Sequence, residues 1–173
     1  MTSTEKISLC ISILAILGGT LTTSLSGKYQ MEAARAQIQK DVRLAQVQTL
    51  DKREQLIREK FESLMIEMSD LISYLDANNS FPVAVAKERL AKCRRAAFAL
   101  SAHAGPSLSL AALTIVDVTN SALTPSSDNI NSVIEAAKAI SASSAKLRIE
   151  FDKEISGFAA QRGQLEGFSE RDL

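Results

Sequence analysis

The feature that most constrains the fold is a repeat of four-residue and three-residue steps that runs from Tyr29 to Leu75. Residues at this spacing lie on one face of an α-helix. Between residues 26 and 60 there is no proline and only one glycine, Gly27, so the pattern is barely interrupted. The sequence therefore predicts one long helix that ends near Ala77. The positions of this seam are Tyr29, Ala33, Ala36, Lys40, Arg43, Val47, Leu50, Glu54, Ile57, Phe61, Leu64, Met68, Leu71 and Leu75.

The far half of the seam differs from the near half. From Ile57 onward every seam position is apolar, and Leu56, Met65 and Ile72 widen the apolar face. A face of this width is typical of a helix in a bundle rather than a two-stranded coiled coil. We therefore expect the far half to pack against other helices of the same chain.

Three interruptions divide the rest of the chain. Residues 78–82 combine a helix stop with a helix start, Gly105-Pro106 kinks or ends a helix, and residues 124–128 offer a turn and a cap. The segment before the last turn contains TIVDV, which would also suit a strand, but a helix is preferred because no second strand is available. The predicted helices are Pro82–His103, Leu108–Leu123 and a final helix from about Val133 to Phe158.

The expected fold class is all-α, with a single amino-terminal transmembrane helix, a long helical stalk and an antiparallel bundle of three to four helices. We expect an up-down-up path in which the two segments joined at Gly105-Pro106 together form the return. Three late glycines predict a frayed end after Phe158. The expected organisation is a short tail at 1–6, a transmembrane helix at 7–26, a stalk at 27–55, the bundle at 56–160 and a flexible tail at 161–173.

Composition narrows the classes of partner. Lys plus Arg and Asp plus Glu both number 20, so the formal net charge is zero and no overall field attracts nucleic acid. We expect no nucleic-acid partner. Cys10 lies in an apolar stretch and Cys93 in a basic helical pattern, so no disulfide framework is implied, which favours a reducing compartment.

An uncharged stretch near the start of the chain predicts membrane insertion. Ile7–Leu25 comprises nineteen residues without a charge, and a spanning helix needs about 20. Ser24 and Ser26 have the spacing of a signal-peptide cleavage site, so an exported, processed chain stays an alternative. The anchor is preferred because Lys6 is the only cation before the stretch and the following pattern stays helical.

Flanking cations predict the orientation of this single span. Only Lys6 precedes it, whereas Lys28, Arg35, Lys40 and Arg43 follow it. Cationic flanks stay on the cytoplasmic side. We therefore expect a cell-membrane protein with its amino terminus outside and its helical domain in the cytoplasm.

Small residues recur at helical spacing inside the stretch. Such a stripe lets membrane helices approach closely, which predicts a transmembrane interface between copies. The alternative is that small residues are merely tolerated in a weak anchor. The stripe consists of Ser8, Ser12, Ala15, Gly19 and Thr22.

The segment KERLAKCRR carries five cations and one carboxylate. A functional interpretation is a contact with anionic lipid, nucleic acid or an acidic partner. The preferred interpretation is a solvated face that pairs with Glu59, Glu62 and Glu67 on the preceding helix, since no aromatic residues are interleaved for base stacking. The possible anionic contact comprises Lys87, Arg89, Lys92, Arg94 and Arg95.

No residue pattern indicates catalysis. The only histidine, His103, lies at a helix end, where an imidazole suits the last carbonyl groups. No metal-ligand spacing, phosphate loop or nucleophile motif occurs in the sequence. We expect no catalytic residues, no cofactor, no metal and no enzymatic activity.

These observations predict a membrane-anchored scaffold, adaptor or regulator that associates with itself and with another protein. One alternative is a small membrane-acting effector whose transmembrane helices assemble into a pore or perturb the bilayer. Another is an exported soluble bundle without the first 26 or so residues. Membrane leakage on expression distinguishes the second possibility, and the mature mass distinguishes the third.

Overall fold

A computed structural model describes residues 3–77, 81–124 and 130–167, with side chains described at residue 27 and from residue 29 onward. These ranges contain four α-helices and no strand, which confirms the all-α prediction. The TIVDV segment is helical. The helices are α1 (Ser3–Ala77), α2 (Val83–Ser101), α3 (Pro106–Leu123) and α4 (Ile130–Gly167).

The chain forms two compact units, Met1–Gln46 and Val47–Leu173. In the first unit, almost every described side chain is exposed. Among the residues with described side chains, no helix has a stretch long and apolar enough to cross a membrane. The predicted span at 7–26 lies outside those residues.

The second unit is an antiparallel four-helix bundle. Cys93 on α2 contacts Glu67 on α1, and Arg89 contacts Asp70, so residue numbers rise on one helix as they fall on the other. In the same way, α1 runs antiparallel to α4, because Phe61 stacks on Phe151 while Asp51 pairs with Arg162. In chain order, the four helices α1, α2, α3 and α4 therefore run up, down, up and down.

The predicted up-down-up path was wrong at Gly105-Pro106. The chain reverses there, and α2 and α3 form a helical hairpin in which Ser109 Oγ donates to the carbonyl of Ser101 at 3.0 Å. Farther along, Arg94 on α2 donates to Asn120 on α3 at 3.1 Å. The physical reason is that Gly105 has an extended backbone, with ψ of 169°, so α3 starts afresh instead of continuing α2.

The core combines large aliphatic side chains with small ones. Small residues on α2, α3 and α4 allow close helix approach, and larger aliphatic residues fill the α1 side. On α1, Leu50 packs against this core and Glu54 is buried, so bundle contacts reach into the segment 27–55 assigned to the stalk. The largest fully buried side chains are Ile57, Leu64, Met68, Leu71, Leu90, Leu100, Leu108, Ile115, Ile140, Leu147, Val133 and Thr119.

Helix α4 is longer than its sequence pattern predicted. It continues to Gly167 instead of ending near Phe158, so residues 161–167 of the expected tail are helical. Arg162 pairs with Asp51 and Glu54 on α1, which ties this last part of α4 to the bundle. Glycine costs about 1 kcal/mol inside a helix relative to alanine, a penalty that such contacts offset.

Candidate protein-contact surfaces

The five cations predicted as an anionic contact do not form one patch. The core-facing side of α2 consists of apolar residues and Cys93, and the cations are distributed around the rest of the helix. Arg89 lies on the side that meets α1, and Arg94 lies on the side that meets α3. Lys92 and Arg95 are exposed between them.

Arg89 makes contacts inside the chain. Its guanidinium carbon lies 4.6 Å from the centroid of the Tyr74 ring, and Nη1 donates to the carbonyl of Asp70 at 3.5 Å. A cation over an aromatic face is attracted by the ring quadrupole. Arg89 therefore helps to join α1 and α2.

Two other cations of this segment also have partners within the chain. Arg94 Nη1 donates to Asn120 Oδ1 at 3.1 Å, and Lys92 lies 3.5 Å from Glu88 on its own helix. For Arg89, Lys92 and Arg94, the described partners thus differ from the predicted Glu59, Glu62 and Glu67. An exposed pair such as Lys92 and Glu88 contributes only about 0.3–0.5 kcal/mol, so its charges stay accessible to a partner.

The remaining surface of α2 combines positive charge with an exposed aromatic ring. Arg95 is exposed and has no ion pair within the described ranges. One turn farther on, Phe98 is 62% exposed, and on the outer side of α3 Leu110 is 64% exposed. We call Arg94, Arg95 and Phe98 the basic surface. Phe98 was not predicted from the sequence, although its helical spacing places it away from the buried face of α2 and so indicates an exposed aromatic ring.

A second surface on α1 has the opposite charge. Ile66 is 54% exposed, and Glu59, Glu62 and Asp70 lie one or two turns from it on the same outward face. Glu59, Glu62, Ser63, Ile66 and Glu67 line a shallow cavity of about 270 Å³. Within the described ranges, neither Glu59 nor Glu62 has an ion-pair partner. We call Glu59, Glu62, Ile66 and Asp70 the acidic surface.

A larger cleft of about 340 Å³ lies where α3 starts beside α4. Two of its carboxylates make structural contacts. Glu154 Oε1 accepts a hydrogen bond from the Gly105 amide at 2.7 Å, and Glu150 pairs with Lys153 at 2.8 Å. The described residues also contain no group of three or more potential metal ligands. Within this cleft, Glu154 therefore acts as a cap for the start of α3.

Cys93 lies among the core residues of α2. Burial raises the pKa of its thiol from 9.0 to about 12, and the nearby Glu67 carboxylate adds to the shift. The Sγ atom donates to the carbonyl of Glu67 at 3.1 Å. Because the thiolate is the reactive form, burial lowers the reactivity of this cysteine in the folded chain.

The predicted transmembrane interface of Ser8, Ser12, Ala15, Gly19 and Thr22 lies outside the residues with described side chains. No protein-family model, curated protein or solved structure was found to match the chain.

Proposed function

We propose that this chain is a non-enzymatic, membrane-anchored helical-bundle protein that acts as a scaffold or adaptor through contacts between copies and with another protein. One observation carries the proposal. Helix α1 is a single helix, Ser3–Ala77, that includes the uncharged stretch Ile7–Leu25 and also contributes Ile57 and Leu64 to the bundle core. A single helix thus connects the uncharged stretch to the bundle core.

Sequence chemistry supports the membrane anchor. The stretch is about as long as a bilayer core requires, and the cations that follow it favour a cytoplasmic bundle. The proposed location is therefore the cell membrane, with one span and the amino terminus outside.

The two charged surfaces support the proposed protein contacts. Arginine and aromatic residues are enriched at protein interfaces, where an apolar centre is surrounded by polar groups. The basic surface has this composition, and Ile66 gives the acidic surface a smaller apolar centre. Their outward position leaves them accessible on the bundle unit.

Carbonate extraction of membranes tests the anchor. The full chain should stay in the membrane pellet, whereas Ile13→Asp with Leu17→Asp should release it, because each central Asp costs about 2.5–3.5 kcal/mol of insertion free energy. Ile13→Leu with Leu17→Ile is the matched control and should stay in the pellet. Release of the unsubstituted chain would refute the anchor, and an intact mass lacking about the first 26 residues would indicate export instead.

Protease accessibility tests the orientation. In sealed, right-side-out cells the bundle should be protected from added protease. It should become sensitive only after the membrane is opened. Digestion in intact cells would place the bundle outside.

A further inference from the structure

We infer that the acidic surface of one copy binds the basic surface of a second copy of this chain. The inference deepens the proposed function, on whose self-association it rests, by naming the two surfaces that meet. Each surface has an exposed apolar residue, Ile66 or Phe98, whose charged neighbours three or four positions away on the same helix all have one sign. Contact between copies would remove both apolar side chains from water and place opposite charges together.

Helix geometry arranges each surface around its apolar residue. Phe98 follows Arg95 by three positions and Arg94 by four, so all three lie on one side of α2. On α1, Glu62 precedes Ile66 by four positions and Asp70 follows it by four. Each apolar centre therefore has charged neighbours on the adjacent turn.

The two surfaces lie at the same level of the bundle. Contacts of Cys93 with Glu67 and of Arg89 with Asp70 fix the register between α1 and α2. Continued along the antiparallel pair, this register places Arg94 level with Ile66, and Phe98 level with Glu62. The two surfaces therefore occupy the same stretch of this antiparallel helix pair, so two bundles packed side by side with parallel axes bring unlike surfaces together.

Binding of a second copy gives both the acidic and the basic surface a partner of opposite charge. An anionic lipid or a nucleic acid would be attracted to the basic surface and repelled by Glu59 and Glu62. The charges also balance over the whole chain, with 20 cationic and 20 acidic residues. Charge complementarity therefore favours another copy of this chain.

Charge reversal with complementation tests the inference. Full chains carrying two different affinity tags are mixed in detergent micelles, one tag is captured, and the amount of the other is measured. R94E/R95E makes the basic surface acidic, and E59R/E62R makes the acidic surface basic. Each variant alone should lose about tenfold or more in self-capture, because like charges meet at the interface. A mixture of the two variants should restore capture, since opposite charges then meet at both contacts.

A matched control reverses two exposed cations on α4. K146E/R148E makes the same change in charge outside both surfaces and should leave self-capture unchanged. Glu at position 94 can still accept a hydrogen bond from the Asn120 amide, so the bundle should fold, which circular dichroism checks. Self-capture should also fall at 1 M salt, where the Debye length is about 3 Å.

Several results would overturn the inference. These are no self-capture by the unsubstituted chain, unchanged self-capture by both reversed variants, or failure of the folded variants to complement. If R94E/R95E lost binding to vesicles of anionic lipid but kept self-capture, the basic surface would be a lipid-binding site and not a contact between copies. Carbonate extraction reports on the anchor separately, so failure of the proposed anchor and failure of this contact are distinguishable.

Discussion

Glu154 on α4 caps the start of α3, because its Oε1 accepts a hydrogen bond from the backbone amide of Gly105 at 2.7 Å. The first amide groups of a helix lack intrahelical partners, and the helix dipole favours negative charge at that end. A side chain distant in sequence thus supplies the cap that Gly105 lacks. This contact stabilises the reversal between α2 and α3 that sequence reasoning took for a kink.

Removing the carboxylate of Glu154 should destabilise the bundle. Glu154→Ala is expected to lower the free energy of unfolding by about 1 kcal/mol, the usual effect of losing a helix cap. Glu154→Gln keeps an oxygen acceptor and should lose only about 0.3–1 kcal/mol from the charge-dipole interaction. Urea unfolding followed by circular dichroism measures both values. Equal stability of all three proteins would show that the hydrogen bond does not contribute.

The effect of adding a methyl group at Gly105 should depend on Glu154. A Cβ at position 105 would lie 3.2 Å from Glu154 Oε1, which forces the carboxylate to move. Gly105→Ala should therefore destabilise the bundle. In the Glu154→Ala background the crowding is gone, and the φ of −68° at position 105 suits alanine. The same change should then stabilise the bundle by about 0.4–1 kcal/mol, because alanine lowers the conformational entropy of the unfolded chain. A double-mutant cycle of unfolding free energies tests this change of sign, and additive effects would contradict it.

Helix positions and core faces could be predicted from the sequence, whereas the direction of α3 could not. The spacing of apolar residues predicted the end of α1 near Ala77 and its bundle-facing seam from Ile57 onward, in which Leu64 and Leu71 are fully buried. A glycine-proline pair permits either a kink or a reversal. The contact that distinguishes them involves Glu154, 49 residues beyond Gly105, and no local pattern indicates it.

The contact surfaces were predictable only in part. The positive charge of α2 was evident from sequence, but the contacts of Arg89 with Tyr74 and of Arg94 with Asn120 depend on how the helices pack. Those contacts leave Arg95 and Phe98 as the centre of the accessible surface. Tertiary packing therefore decides which charges remain available.

The seam of α1 predicts a large difference between two substitutions to Asp. Leu64 is fully buried, so Leu64→Asp places a charge without a partner in the core and should cost more than about 4 kcal/mol. Ile149 is 53% exposed and lies outside both proposed surfaces. Ile149→Asp, the control, should change stability by less than about 0.5 kcal/mol. Chemical unfolding of the full chain in detergent compares them, and similar losses would disprove the assigned seam.

Arg162 should determine whether the last part of α4 stays docked. It lies 2.6 Å from an oxygen of Asp51 and 2.7 Å from one of Glu54. The hydrogen bond to Asp51 is the main cause that raises the pKa of Arg162. Arg162→Ala should speed amide hydrogen exchange at residues 159–167, because the end of α4 loses its contact with α1.

Arg162→Lys is the control for charge at this site. It keeps one positive charge, but an ammonium group cannot bind two carboxylates in the planar geometry of a guanidinium. The amide exchange rates should therefore lie between those of the unsubstituted chain and Arg162→Ala. High salt should reduce the difference in exchange rate between the variants, because it screens the ion pairs of Arg162. Unchanged exchange in Arg162→Ala would show that core packing alone holds this end.

Cys93 should be protected from alkylation in the folded protein. With a pKa of about 12 instead of 9.0, its thiolate fraction at pH 8 is about a thousandfold lower than that of an ordinary cysteine. In a Cys10→Ser background, iodoacetamide should therefore modify Cys93 at the rate of unfolding, and added urea should speed the reaction. Rapid alkylation without urea would mean that α2 opens locally.

The same thiol predicts how stability changes at alkaline pH. Its folded pKa lies above its unfolded pKa, so the native state keeps a proton that the unfolded state releases between about pH 9 and 12. The contribution of Cys93 is complete below pH 9 and should fall by at most about 1.4 kcal/mol per pH unit above it. Cys93→Ala lacks this titration but keeps the other groups that ionise there, so its free energy of unfolding should fall less steeply over the same range. Parallel slopes for the two proteins would show that Cys93 ionises as readily in the folded chain as in the unfolded one.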